Sequence, residues 1–285
     1  MTKKIDTLPL GCMGNKQNEL KLLLPIIQPQ ITDKTIFIEP FVGSCIVSFN
    51  VYKQINKNIE FHINDIDSLR IQFYINMMDE EKRNELYKLE ESILKNGMEE
   101  CNKIIKKNNP QAMRNEYIPY VITRRIHGFR FGLYPTTKKI ILKKISENWI
   151  NFFHKAKITN NDFIEVMEEY KENENAFLYL DPPYMDSFNG GYTCYHTKNY
   201  NNDLTIKDNT YMYIYLLEFL KVCKCKILFS INNNSLTKYL YKDYIKETYK
   251  HVYQSSHINI EGLSLDEKGN KIRKKNTNVL IISNF

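Results

Sequence analysis

Five short runs of β-branched and apolar residues, each cut off by a turn signal and separated by stretches with helical spacing, constrain this chain more than any other feature. They are Thr35 to Ile38, Ile59 to Ile63, Ala176 to Leu180, Lys226 to Ser230 and Asn278 to Ile282. The first meets Pro40 and Gly43, after which Ser44 to Tyr52 takes helical spacing; the second ends in Asn64-Asp65. Strands that alternate with helices predict an α/β sheet closed by crossover connections. With 285 residues the chain can bury a sizeable core, either as one elaborate domain or as a domain carrying an insertion, and the second organisation fits better.

The insertion is expected between about Ser68 and Ile150. No clear strand appears there, and Arg114, Arg124, Arg125, Arg130, Lys138, Lys139, Lys143 and Lys144 crowd together with Phe129, Phe131 and Tyr134 among them. A structureless connection of that length is improbable in a compact protein, so a mostly helical unit is predicted. Basic residues interleaved with aromatics suit phosphate neutralisation and stacking on bases. A solvated helical face with a few core aromatics has the same composition. The net charge of +7 leans the same way as the basic stretch, toward a polyanionic partner.

Other classes find less support. Cys12, Cys45, Cys101, Cys194, Cys223 and Cys225 form neither paired CxxC motifs nor a Cys/His cluster, which argues against a zinc site or a disulfide framework. The six histidines show no metal-ligand spacing, so no metal is expected. No apolar run approaches the ~20 residues a membrane span needs; Tyr211 to Leu220 reads as a buried helix. Leu8 to Cys12 looks superficially like a lipoprotein cleavage site without the apolar segment that should precede it, and an intracellular protein is expected.

Chemistry enters at two segments. In "FIEPFVGSCIVSFN" a strand runs into a turn bearing Gly43 and then a helix, and Asp65 follows 22 positions later. A backbone that approaches its ligand closely, with an acidic group at the end of the next strand to take ribose hydroxyls, has this spacing. With one glycine, the segment reads equally as a plain strand-turn-helix. "LYLDPPY" is sharper, a chance Asp-Pro-Pro-Tyr being roughly a one-in-a-thousand event in a chain of this size. Two prolines after a strand stop the ladder and leave carbonyls free to accept. The amino group of adenine is a poor nucleophile because its lone pair is delocalised into the ring. The Asp181 carboxylate and Pro182 carbonyl can hold its two hydrogens and aim the lone pair, while Tyr184 stacks on the extruded base. An ordinary rigid strand-to-loop turn is the bland alternative.

The order of these segments resembles DNA adenine-N6 methyltransferases of the DNA adenine methylase type, over most of the chain. "MGNKQNELKLLLPII" (Met13 to Ile27) resembles the family's opening Gly-x-Lys segment, "EPFVGSC" its cofactor turn, "IND" its ribose-binding strand end and "NNDF" the segment whose Asp contacts the cofactor adenine. "DPPY" matches the catalytic segment, and "FSINN" and "TNVLIISNF" the closing strands. The resemblance implies a Rossmann-like methyltransferase sheet with helices on both faces, built from residues 1–67 and 151–285, and an inserted recognition domain at 68–150. It implies Asp181, Pro182 and Tyr184 as catalytic residues. S-adenosylmethionine, leaving as S-adenosylhomocysteine, would be held by Met13, Gly14, Lys16, Glu39, Pro40, Phe41, Gly43, Ser44, Cys45, Asp65, Asp162, Phe163 and Asp181. Double-stranded DNA would meet Arg124, Arg125, Arg130, Asn189 and Tyr192, with Arg130, in "RFGLYP", the expected base contact.

The chain departs from the family at Cys45, where a second glycine is usual, so a small side chain is expected near the cofactor's methionine moiety. No Pro-Cys nucleophile appears, which disfavours carbon-5 cytosine chemistry. Cytosine N4 or an RNA adenine remains an alternative acceptor, as does a DNA-binding protein that has lost its cofactor. A cognate restriction endonuclease, the target sequence and the oligomeric state stay open.

Overall fold

A computed structural model describes residues 6, 9–11, 16–96, 98–105, 115–126, 144–183, 210–253 and 275–285. In chain order the described elements are α1 (Leu20–Ile27), β1 (Ile36–Glu39), α2 (Ile46–Gln54), β2 (Glu60–Asn64), α3 (Ser68–Asn76), α4 (Glu80–Asn96), α5 (Met98–Ile105) and α6 (Tyr117–Ile126). They continue with α7 (Glu147–Lys155), β3 (Ala156–Thr159), α8 (Phe163–Tyr170), β4 (Ala176–Leu180), α9 (Thr210–Val222), β5 (Lys226–Asn232), α10 (Ser235–Leu240), β6 (Ile245–Tyr253) and β7 (Lys275–Ser283).

The seven strands form one sheet in the order β3-β2-β1-β4-β5-β7-β6. From β3 to β5 all pairs are parallel, whereas β7 runs antiparallel to both β5 and β6. Successive parallel strands step outward from β1 to β2 and β3, then return to the other side of β1 as β4 and β5. That reversal leaves the carboxyl ends of β1 and β4 side by side, and in open α/β sheets the crevice at such a switch point is where ligands bind.

Both faces of the sheet are covered, so its central strands are apolar at consecutive positions. Phe37, Phe177, Tyr179, Leu228 and Ile281 belong to one core cluster, which also takes in residues of α1 to α7. Ile38, Leu178, Leu180, Ile227, Phe229 and Ile231 point the other way, against α8 and α9. The first cluster is rich in rings: Phe37 stacks on Phe177 at 5.4 Å, and Phe49 on Trp149 at 3.6 Å. Leu86, Ile93, Cys101, Tyr120, Val121 and Ile122 join that cluster, so α4, α5 and α6 share the sheet's own core. No strand occurs among the described residues between 68 and 150.

All five expected strands are present, Ala176–Leu180 with both ends as expected and the others with ends shifted by up to three residues, and Tyr211 to Leu220 lies within α9. β3 and β6 were not expected. Both are edge strands, and "AKIT" and "IKETYKHVY" carry the charges that blunt a sheet edge, which hides their β character.

Candidate active site

The turn after β1 is shaped by two residues in left-handed backbone, Gly43 at φ 49° and Cys45 at φ 62°. Cys45 is the one non-glycine residue with positive φ among the described residues. Its N–H donates to the Val42 carbonyl at 2.7 Å, and its own carbonyl starts α2 by accepting from Phe49. Position 45 thus imposes a left-handed backbone that glycine would adopt freely and that this chain meets with cysteine. The Cys45 thiol lies wholly within the core cluster, and burial holds it in the neutral form by pushing its pKa well up.

Around that turn the strand ends converge. Asp65, one residue past β2, accepts the Gly43 N–H at 3.0 Å, so the 22-residue spacing in the sequence becomes a direct contact. The same carboxylate accepts from the Asp67 N–H at 2.9 Å and from Arg70 Nη1 at 2.7 Å. Asn64 ties the neighbouring ends together, donating to the Pro40 and Asn161 carbonyls and accepting from the Asn161 N–H. From past β3, Asn160 donates to the Asp65 carbonyl at 2.7 Å. Asp162 caps α8 by accepting from the Ile164 N–H, and the next residue, Phe163, places its ring 5.0 Å from that of Phe41.

Glu39 closes β1. Only 3 % exposed, it accepts from the N–H and the hydroxyl of Ser48 in α2. Burial raises its carboxyl to about 8 against the opposing pull of those hydrogen bonds. Asp181 stands at the adjacent carboxyl end of β4 and forms an ion pair with Lys16 at 2.7 Å. Lys16 is itself 3 % exposed and lies 3.8 Å from Glu19, whose carboxyl burial raises to about 7. Burial also raises Asp181, and Lys16 opposes that rise. Two acidic side chains, Asp181 and Glu19, therefore lie within 4 Å of one ammonium at the switch point, and Glu39 also feels its charge. Beyond Asp181 the turn is pinned from the side, because Tyr213 in α9 donates to the Pro183 carbonyl at 3.0 Å.

The structure thus gathers Lys16, Glu39, Pro40, Phe41, Gly43, Ser44, Cys45, Asp65, Asp162, Phe163, Asp181 and Pro182 at the carboxyl ends of β1 to β4 and the segments that meet them. Met13, Gly14, Tyr184, Arg130, Asn189 and Tyr192 lie outside the described residues. Arg124, expected to meet DNA, is buried, and the side chain of Arg125, expected there too, is only 6 % exposed. The Arg124 guanidinium sits 3.8 Å from the centre of the Tyr120 ring. Arg125 forks onto Glu90 of α4 and donates to the Pro9 carbonyl at 2.7 Å, so a phosphate could take it only by breaking a buried ion pair.

Several supporting residues escaped sequence reasoning: Glu19, Ser48, Asn64, Arg70, Tyr74, Tyr120 and Tyr213. Tyr74, in α3, donates to the Gly43 carbonyl at 2.5 Å. Asn64 alone had a local signal, standing beside Asp65 in "IND". Among the described residues no three His, Cys, Asp or Glu side chains are grouped to hold a metal, and no helix is long and apolar enough to cross a membrane.

A sheet of this order, with a glycine turn after β1, an acidic β2 end and Asp-Pro-Pro at the end of β4, defines a Rossmann-like methyltransferase. The chain belongs to the D12 class N6 adenine-specific DNA methyltransferase family, whose pattern matches residues 13–129 and 127–258. No curated protein matches the chain.

Proposed function

We propose that the protein transfers a methyl group from S-adenosylmethionine to N6 of an adenine flipped out of double-stranded DNA. The observation that carries this reading is the placement of Asp181, held by buried Lys16, beside the Gly43–Asp65 turn at the sheet's switch point. Family membership makes the acceptor an adenine of DNA. The residues present fit the cofactor. Asp65 retains acceptor capacity for a ribose hydroxyl, Phe41 and Phe163 offer ring faces to an adenine, and the Gly43 turn has no Cβ at its most exposed bend. Cys45, which might have crowded the site, is turned into the core.

When bound, S-adenosylmethionine supplies a methyl group on a positively charged sulfur. The chain's part is to make the exocyclic nitrogen nucleophilic. Asp181 and the Pro182 carbonyl accept the two amino hydrogens, which favours a pyramidal nitrogen with its lone pair directed away from the ring. Prolines at 182 and 183 fix the carbonyl directions, and the Tyr213 hydrogen bond holds the turn against drift. Lys16 keeps Asp181 ionised in a site whose burial favours the neutral acid. Tyr184 stacks on the extruded base. Residues 68–150 carry target recognition, with Arg130 contacting a base, and Asn189 and Tyr192 meet the duplex.

Asp181→Ala is the direct test. It should abolish formation of N6-methyladenine, measured on DNA digested to nucleosides, while duplex affinity stays within about threefold. Full activity in that variant, or N4-methylcytosine as the product, would sink the reading.

A further inference from the structure

Asp65 does more than wait for a ligand. An ionised carboxylate offers about four lone-pair sites, and three donors already use them: the Gly43 and Asp67 N–H groups and Arg70 Nη1. A ribose diol brings two hydroxyls, so one donor must yield or share. The backbone N–H groups are fixed by the turn and by the start of α3. Arg70 has an alternative, because its Nη2 already lies 3.6 Å from the Asp67 carboxylate. Asp67 in turn accepts the Tyr120 hydroxyl at 2.6 Å, and the ring of Tyr120 lies under the Arg124 guanidinium. Asp65, Asp67, Arg70, Tyr120 and Arg124 are each buried to more than nine-tenths, so a shift at one end has no water layer to absorb it.

This path begins at the cofactor turn and ends on α6, the helix that leads directly into the basic, aromatic stretch from His127 to Lys144. We propose that Arg70 and Tyr120 are positioning residues that link occupancy of Asp65 by a ribose diol to the orientation of α6, so that cofactor and duplex affect each other's binding. The proposal rests on the reading of Asp65 as the ribose seat. A ligand at Asp65 draws Arg70 toward Asp67, where it competes with Tyr120 for the same oxygen, and α6 is the element released or held. Linkage makes the effect reciprocal: the duplex changes cofactor affinity by the same factor as the cofactor changes duplex affinity.

The test is titration of the full chain with S-adenosylhomocysteine, alone and with a saturating adenine-containing duplex. The natural protein should show affinities that differ by at least about fivefold between the two conditions. Tyr120→Phe removes the hydroxyl, and Arg70→Lys removes the fork that spans both carboxylates. Each should bring the ratio within about twofold of unity, while S-adenosylhomocysteine and duplex still bind separately and thermal unfolding stays cooperative. A merely structural role would weaken both ligands and leave their ratio unchanged. An unchanged ratio in both variants, or independent binding in the natural protein, overturns the inference. Absence of any S-adenosylhomocysteine binding to the natural protein is a different result: it removes the cofactor reading itself, and the inference with it.

Discussion

Cys45 occupies a backbone conformation that glycine adopts freely and other residues reach at about 1–2 kcal/mol. The burial of its thiol in the core offsets that cost by a similar amount, about 1 kcal/mol. Cys45→Gly should therefore change the urea unfolding free energy by less than about 1 kcal/mol. Cys45→Val, branched at Cβ and equally apolar, should lose about 2 kcal/mol or more. Glu39 offers a second residue-scale test. Its carboxyl, about 8 in the folded chain against an ordinary 4.5, binds a proton more tightly folded than unfolded. Its stabilising contribution is full below 4.5 and disappears as pH rises through 8. Glu39→Gln should consequently raise the melting temperature relative to the natural protein at pH 8.5 and do little at pH 5. For Asp181 the shift is also upward, and the proposed transfer uses its ionised form. The acid limb of the rate profile should lie above aspartate's ordinary 3.8, and Lys16→Met should push it higher still. The departure at position 45 was visible in the sequence because it interrupts a local pattern. That the thiol turns inward was not, since that depends on what packs over the turn.

At the scale of elements, legibility followed burial. The five expected strands are the five interior strands of the sheet, where pairing on both sides and burial favour unbroken apolar runs. β3 and β6, at the edges, have one unpaired side and charges such as Lys157, Lys246 and Glu247. That Gly43 and Asp65 stand at the same end of neighbouring strands was legible because strand, turn, helix and next strand follow each other directly; the hydrogen bond between them was not. Tyr120 had no such signal, because its partner Asp67 lies on an element whose approach is decided by packing; Arg70 meets Asp65 and Asp67 close by in the sequence, but nothing local marks which charges pair. Arg125 shows how composition can mislead, for its charge belongs to a strut between α4 and α6 rather than to the surface. Arg125→Ala should cost about 3–5 kcal/mol by leaving Glu90 buried and unpaired. The double variant Arg125→Met with Glu90→Leu should recover most of it. Because the guanidinium faces inward, that double variant should also leave the salt dependence of duplex affinity unchanged, as measured by anisotropy from 50 to 200 mM salt.

For the molecule as a whole, β7, the seventh strand in sequence order, lies inside the sheet rather than at its edge. β7 hydrogen-bonds to β5 on one side and β6 on the other, and Val279, Leu280, Ile281 and Ile282 are fully buried, Ile281 in one core cluster and Leu280 and Ile282 in the opposite one. Asn284 then accepts from the Ile227 N–H and donates to the Cys225 carbonyl, and the Phe285 ring lies 5.6 Å from that of Phe177. The Glu39, Lys16 and Asp181 cluster on β1 and β4 therefore rests on a sheet that is closed only when residues 275–285 arrive. Burying four aliphatic side chains contributes on the order of 6–12 kcal/mol, as much as the ~5–15 kcal/mol that separates a typical domain from its unfolded state. A chain ending at Lys274 should keep far-ultraviolet helical signal, because α1 to α9 have local hydrogen bonds, but should lose its near-ultraviolet signal and its cooperative urea transition. Removal of Phe285 alone deletes its ring contacts with Phe177 and Lys246 and its backbone hydrogen bonds with Ser283, and should cost no more than about 3 kcal/mol, leaving the transition cooperative. A cooperative transition in the chain ending at Lys274 would mean that β1 to β5 and their helices hold the site without closure of the sheet, and the strand's interior position would then reflect topology rather than stability.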